Sequence, residues 1–157
     1  MTFSESDTAD EASETKILVS ACLAGIPCRY DGKSTPVPEI VRLVEEGLAV
    51  PFCPECAGGL ETPRTPAEIS GGRVLTRDGR DVTEAFEAGA VLAAAAAKEH
   101  GIVTAVLKSK SPSCGSGEIY DGSFTGRLVP GEGVTARALR EAGINVITEK
   151  DFVNEYE

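Results

Sequence analysis

The chain has no tryptophan, one histidine and one methionine, and aromatic residues make up only 5% of it. Without aromatic platforms, a groove that stacks the bases of single-stranded nucleic acid is not expected. The one histidine, His100, falls in the last turn of a long helical pattern. There it complements the helix dipole, and no Ser–His–Asp triad can be built around it. No run of about 18 apolar residues exists, so no membrane-spanning helix is expected. The N-terminus lacks the basic start and apolar stretch of a secretory signal. Basic residues are also few: 15 Lys and Arg stand against 25 Asp and Glu, for a net charge of −10. That sign argues against general binding along a phosphate backbone. These absences together predict a soluble, cytoplasmic protein that does not bind nucleic acid in general.

The acidity is uneven. Before Lys16 the chain carries Glu5, Asp7, Asp10, Glu11 and Glu14 and no basic residue, which is −5 of the −10. This stretch is rich in Ser and Thr and poor in large apolar residues. Residues 1–15 are therefore expected to form a disordered acidic tail. Residues 16–157 suffice for one α/β domain with a real core, and no internal repeat is visible.

Within that domain the hydrophobic pattern alternates. "KILVSA" (16–21) is a short apolar strand. "STPVPEIVRLVEEG" places Val37, Ile40, Val41 and Val44 at helical spacing, with Pro residues near the start and Gly47 past the end. "LAVPFC" (48–53) reads as a second strand. "DVTEAFEAGAVLAAAAAKEHG" is the longest helix, with Asp81 and Glu84 spaced as a capping box and Gly101 as its stop. The alanines at 93–97 are helix packing. "IVTAVLK" (102–108) is a third strand, "VTARALREAG" a helix ending at Gly143, and "INVIT" (144–148) a fourth strand. This order predicts a mostly parallel sheet flanked by helices on both faces, a Rossmann-like three-layer fold.

The layout gives the five cysteines meaning. An odd number without a secretory signal argues against a disulfide framework. Cys22 ends the first strand, Cys53 ends the second, and Cys114 lies in the loop after the third. In a parallel sheet these loops leave from one carboxyl edge, where such folds build their sites. Three thiols far apart in sequence should meet there. The Cys53–Cys56 pair in "PFCPECAGGL" has dithiol spacing, but Gly58, Gly59, Pro63 and Pro66 follow, so the stretch cannot run on as a helix. A structural zinc site would prefer two such pairs. Three single cysteines instead leave one position of a metal or cluster open, as in a catalytic centre. Gly pairs and "GSG" hint at phosphate loops, yet no Walker-type lysine follows them.

The segments "ILVSACLAGIPCRYDGKS", "PFCPECAGGL", "TPRTPAEISGG", "VLTRDGRDVTEAF", "LKSKSPSCGSGEIYDGSFTGRLVPGEGVTARAL" and "GINVITE" occur in order from Lys16 to Glu149. In this the chain resembles the DUF523 family, whose characterised members are thiouracil desulfurases. The resemblance implies a [4Fe–4S] cluster held by Cys22, Cys53 and Cys114. One iron is then free for the sulfur of a thiolated nucleobase, and sulfide is released by non-redox hydrolysis. Cys56 departs from the family pattern and is expected as a small buried residue or one just behind the ligands, rather than on the cluster. Cys28 is not counted as a ligand in the family and is expected as a small semi-buried side chain or an access or redox residue. The resemblance also supports a Glu and a Ser in the chemistry: Glu55 as general acid or base, and Ser111, with Ser109 and Ser113 as alternatives, as a ring-binding or proton-relaying hydroxyl. A plain alternative makes Glu55 a backbone cap.

Arg29, Arg64, Lys108 and Lys110 cluster in the same loops. With Ser109 they form a candidate substrate-binding set for a polar ring or an attached phosphate. Alternatively, Arg29 and Arg64 pair with Asp31 and Glu68 to hold the loops. Two other functional readings stand beside the desulfurase: a non-catalytic cluster or metal carrier, and a cluster-dependent sulfur transferase acting on nucleosides. An enzyme should turn Glu55 and Ser111 into a pocket beside the thiols, and a carrier should turn them away. Oligomeric state is not legible.

Overall fold

A computed structural model describes residues 16–156. The expected acidic tail, residues 1–15, lies outside the described residues. Four short strands, β1 (Ile17–Ser20), β2 (Ala49–Phe52), β5 (Thr104–Leu107) and β8 (Asn145–Thr148), form one all-parallel sheet in the order β2-β1-β5-β8. Ile17 lies opposite Ala49 on one side and Thr104 on the other, and Thr104 opposite Asn145. Each strand is only four residues long but nearly continuously apolar, because parallel strands are covered on both faces.

Alternate side chains go to opposite layers. Leu18, Ala105 and Leu107 pack with Ala93 and Ala97 of helix α3 (Thr83–Glu99) and with Ala136 and Leu139 of α4 (Val134–Glu141). Val19 and Val106 pack on the other side with Ile40 of α1 (Pro38–Glu45) and Phe152 of α5 (Glu149–Tyr156). Ala93 and Ala97 are fully buried one turn apart, and their small size lets α3 approach both the sheet and α4. Among the described residues, no helix is long and apolar enough to cross a membrane.

The helix expected from Asp81 begins two residues later. The Asp81 carboxylate accepts the Thr83 amide at 2.9 Å, and no side chain makes the capping bond of a box. Thr83 is instead anchored sideways, its hydroxyl accepting the Val74 amide at 2.8 Å. Two antiparallel hairpins, β3 (Ala67–Ser70) with β4 (Arg73–Thr76) and β6 (Ser116–Tyr120) with β7 (Leu128–Glu132), are additions to the expected plan. The first covers its own small core of Val74, Val82 and Phe86.

The order of the parallel strands reverses at β1. Chain leaving β1 goes to β2 on one side, and β5 sits on the other. Such a switch point opens a crevice at the carboxyl ends of the strands.

Candidate functional site

Three strand ends deliver three thiols to that crevice. Cys22 lies in the 3₁₀ turn Ala21–Ala24 that follows β1 directly and is buried. Cys53 follows β2 and caps a one-turn helix, α2 (Pro54–Ala57). The four residues after Cys53 thus make a single helical turn, which Gly58 ends. Cys114 is buried in the loop after β5. Cys22, Cys53 and Cys114 line one cavity of about 750 Å³, together with Glu55 and Ser111. All five cysteines are free thiols.

The loops are held by close backbone packing at two glycines. A β-carbon on Gly89 of α3 would stand 1.9 Å from the Pro54 carbonyl oxygen, so only glycine lets α2 lie on α3. A β-carbon on Gly133 would stand 2.4 Å from the Ser113 carbonyl and 2.8 Å from the Cys114 amide nitrogen. Gly89→Ala is expected to cost about 1–3 kcal/mol, the usual range for overpacking. That corresponds to a fall of roughly 2–12 °C in melting temperature. A thermal melt of the variant checks it, and an unchanged midpoint would show that α2 is not pressed on α3.

The Cys114 loop is fixed by polar bonds as well. The Ser111 hydroxyl oxygen accepts the Ser113 and Cys114 amides, each at 3.0 Å. The first amides of α4, which have no partner within the helix, donate to this loop. Val134 reaches the Pro112 carbonyl at 2.9 Å, and Thr135 reaches that of Ser113 at 2.8 Å. Ser113 itself is turned away, its hydroxyl bonded to that of Thr135 at 2.9 Å. Ser111 is also one of the residues that line the cavity.

Glu55 is held by a guanidinium. Arg64 Nε and Nη2 reach Glu55 Oε1 at 3.0 and 2.9 Å, with side chains 11% and 16% exposed. Arg64 also donates to the carbonyls of Cys28 and Glu61 and to the Thr62 hydroxyl, at 2.9–3.0 Å. The sequence alternative that paired Arg64 with Glu68 is therefore corrected. Glu68 accepts the Gly122 and Phe124 amides instead. Arg29 does pair with Asp31, at 3.3 Å, and donates to Thr35 at 3.2 Å.

Ser109 and Lys108 are bound to a residue that the sequence reading did not single out. Glu149 accepts the Ser109 amide at 2.8 Å, the Ser109 hydroxyl at 2.9 Å and the Lys108 ammonium at 3.4 Å. It stands where β8 passes into α5, one strand over from β5. Ser109 has thus given its only hydroxyl proton to a carboxylate and can offer a ligand only an acceptor. Lys108, Ser109, Lys110, Arg29 and Arg64 all line the cavity, and so do Arg77 and Arg80, which the sequence reading passed over. Arg77 lies over the Phe124 ring, 5.6 Å from its centroid. His100 is exposed at the C-cap of α3 and is not among the residues that line the cavity.

The thiols differ in acidity. The hydrogen bond from Cys28 pulls Cys53 down to about 5, against burial and with help from Cys56 and Arg64. Burial pushes Cys22 up, and the Lys108 ammonium opposes it. Burial pushes Cys114 up to about 12, with Ser20 opposing. Burial also raises the Glu55 carboxyl above the ordinary glutamate range, against the pull of Arg64.

Among the described residues, no three Cys, His, Asp or Glu side chains converge closely enough to chelate one metal ion. A cubane cluster asks for something else. Each thiolate binds a different iron, so its ligands surround a volume rather than a point. Three soft sulfur donors around one cavity fit that demand better than they fit a single zinc ion.

Residues 17–151 match the family model for 2-thiouracil desulfurase. "Uncharacterized protein YbbK" of Bacillus subtilis (strain 168) is 48% identical over 146 residues, which cover 87% of this chain and 97% of that protein. The solved structure of the [4Fe-4S]-dependent thiouracil desulfidase TudS, a DUF523 protein, is 50% identical. It superposes with a TM-score of 0.85 over 88% of this chain and 93% of that one.

Proposed function

The chain belongs to the 2-thiouracil desulfurase family, and from that premise we propose that it removes sulfur from a thiolated pyrimidine such as thiouracil by cluster-dependent, non-redox hydrolysis. One observation carries the reading: three strand-end cysteines line a single cavity with a carboxylate and a hydroxyl beside them. Cys22, Cys53 and Cys114 would hold a [4Fe–4S] cluster. When bound by three thiolates, such a cluster supplies an open iron, a Lewis acid matched to soft sulfur.

The chain's own residues supply the rest. A thiocarbonyl carbon must gain a water oxygen as its sulfur departs, so a proton must leave the water and another must reach the ring or the sulfide. Glu55 serves as that proton carrier. Its carboxyl sits at the cavity wall, and burial raises its proton affinity toward the working range of a general acid or base. Arg64 fixes its orientation. The Ser111 O–H donates to the ring or relays a proton. Lys108, anchored by Glu149, and Arg29 present positive charge to a polar ring. Lys110, Arg77 and Arg80 extend that charge along the cavity and suit an anionic substituent on the substrate.

Glu55 and Ser111 line the same cavity as the three thiols, which supports an enzyme over a carrier. The five free thiols suit a reducing cytoplasm, where we place the protein. Anaerobic reconstitution with iron and sulfide, followed by assay of sulfide release from 2-thiouracil, tests the proposal. Sulfide and uracil should appear in equal amounts without added reductant. A fully loaded protein that releases no sulfide from any thiopyrimidine would overturn it.

A further inference from the structure

The proposed reaction employs Cys53 and leaves Cys56 idle, although the two thiols are unusually placed. Cys53 caps α2 and Cys56 belongs to its single turn, so both hang from one rigid unit at neighbouring helical positions. Their sulfurs converge on the same atom, the Cys28 carbonyl oxygen, at 3.9 and 4.0 Å. The Cys53 thiol borders the cavity, while Cys56 is exposed and its sulfur lies 3.4 Å from the Thr62 hydroxyl. One thiol of the pair faces the site and the other faces solvent. Cys28, the other thiol close to Cys53, is buried.

We propose that Cys56 is a resolving thiol, and that Cys53–Cys56 is a site of reversible oxidation that preserves Cys53 when the chain meets a peroxide. The disulfide itself needs only this geometry, whereas its consequence for cluster uptake rests on the reading that Cys53 is a ligand. The chemistry balances. The Cys53 sulfur attacks the peroxide O–O bond, giving Cys53 sulfenic acid and one water when the peroxide is hydrogen peroxide. The Cys56 sulfur then attacks the sulfenic sulfur, forming the S–S bond and releasing a second water. The two thiols together lose two electrons and two protons, and the peroxide takes up both. A cellular dithiol reverses the bond by attack at the exposed Cys56 sulfur, returning two electrons and two protons. Cys28 is a poorer partner for this role, because its own sulfur is buried and a reductant could enter such a bond only at Cys53. Without a resolving thiol, the sulfenic acid goes on to sulfinic acid, which ordinary dithiols do not reduce.

The test uses the full-length, cluster-loaded protein and its Cys56→Ser and Cys56→Ala variants, each confirmed folded by its melting curve. Each is treated with hydrogen peroxide until its iron–sulfur absorbance is gone, and then with at least two further equivalents per chain. Free thiols are then alkylated and the digest is read by mass spectrometry. In the native chain, the expected product is a peptide linking Cys53 to Cys56. Dithiothreitol should release it and restore iron uptake. In both variants, Cys53 should appear mainly as sulfinic acid, with iron uptake lost despite dithiothreitol. A Cys28–Cys53 link, or equal sulfinic acid at Cys53 in native and variant chains, overturns the proposal. A Cys53–Cys56 link with iron uptake unimpaired supports the dithiol and removes Cys53 from the ligand set instead, so the two readings fail separately.

Discussion

Cys114→Ser should purify as a folded, colourless protein that takes up no stable cluster and releases no sulfide. Serine is close to cysteine in size, so the loop should survive the exchange. Its turn is fixed by the Ser111 oxygen on two amides, by the contact with Gly133 and by the amides of α4, none of which involves the sulfur. What disappears is the soft donor. A hydroxyl at this buried position does not ionise near neutral pH, and oxygen is a poor match for an iron–sulfur cluster. Cys22→Ser and Cys53→Ser should behave alike. Cys56→Ser should keep both cluster and turnover. The measurements are iron and acid-labile sulfide per chain after anaerobic reconstitution, with the melting temperature of the metal-free protein as the folding control. Wild-type iron in Cys114→Ser would remove that residue from the ligand set.

The parallel sheet was legible because its signals are local. Ile17–Ser20, Ala49–Phe52, Thr104–Leu107 and Asn145–Thr148 all fall within the strands expected from their apolar runs. The alternation with helices leaves few topologies, and a position after each of three parallel strands puts Cys22, Cys53 and Cys114 at one edge. The hairpins were less visible. Gly71 and Gly72 both have positive φ, as a two-residue hairpin turn between Ser70 and Arg73 requires. That pair read as a phosphate-loop hint because the flanking strands are mostly half-buried and weakly alternating. The β6–β7 pairing contains Pro130 and two glycines, which argue against a strand on propensity alone.

Side-chain partners were the least legible part of the site, because they depend on contacts between loops. Arg64 chose Glu55, nine residues back, over Glu68, four residues on. Glu149 closed the resembling segment "GINVITE" without a role until the structure put its carboxylate on Ser109, forty residues away. Ser113 and Ser111 sit in one tripeptide, and only the loop's fold shows that one anchors α4 while the other lines the cavity. At "CPECAGGL" Gly58 does stop the helix, but a single turn forms before it, and that turn brings Cys53 and Cys56 together.

Glu55→Gln should retain the cluster and lose turnover by about 10² to 10⁴, the usual range for removing a general acid or base. Glutamine keeps the shape and an oxygen that Arg64 can still reach, but it carries no exchangeable carboxyl proton. The substitution has a second effect, because it leaves the Arg64 charge uncompensated at a nearly buried position. Breaking such a pair from one side is destabilising, so a lower melting temperature is expected as well and does not by itself identify the role. Arg64→Lys separates the two. It loosens the same pair and costs stability, yet keeps the carboxylate, so its turnover should fall far less than that of Glu55→Gln. Assays well below both melting transitions compare folded enzyme with folded enzyme. The pH profile gives an independent reading. Burial raises the Glu55 proton affinity, so the wild-type acid limb should lie above the ordinary glutamate range and should vanish in the residual activity of Glu55→Gln. Near-native turnover in Glu55→Gln would leave Glu55 as the partner that holds Arg64 across the Cys28 and Thr62 loops, and would pass the proton to Ser111.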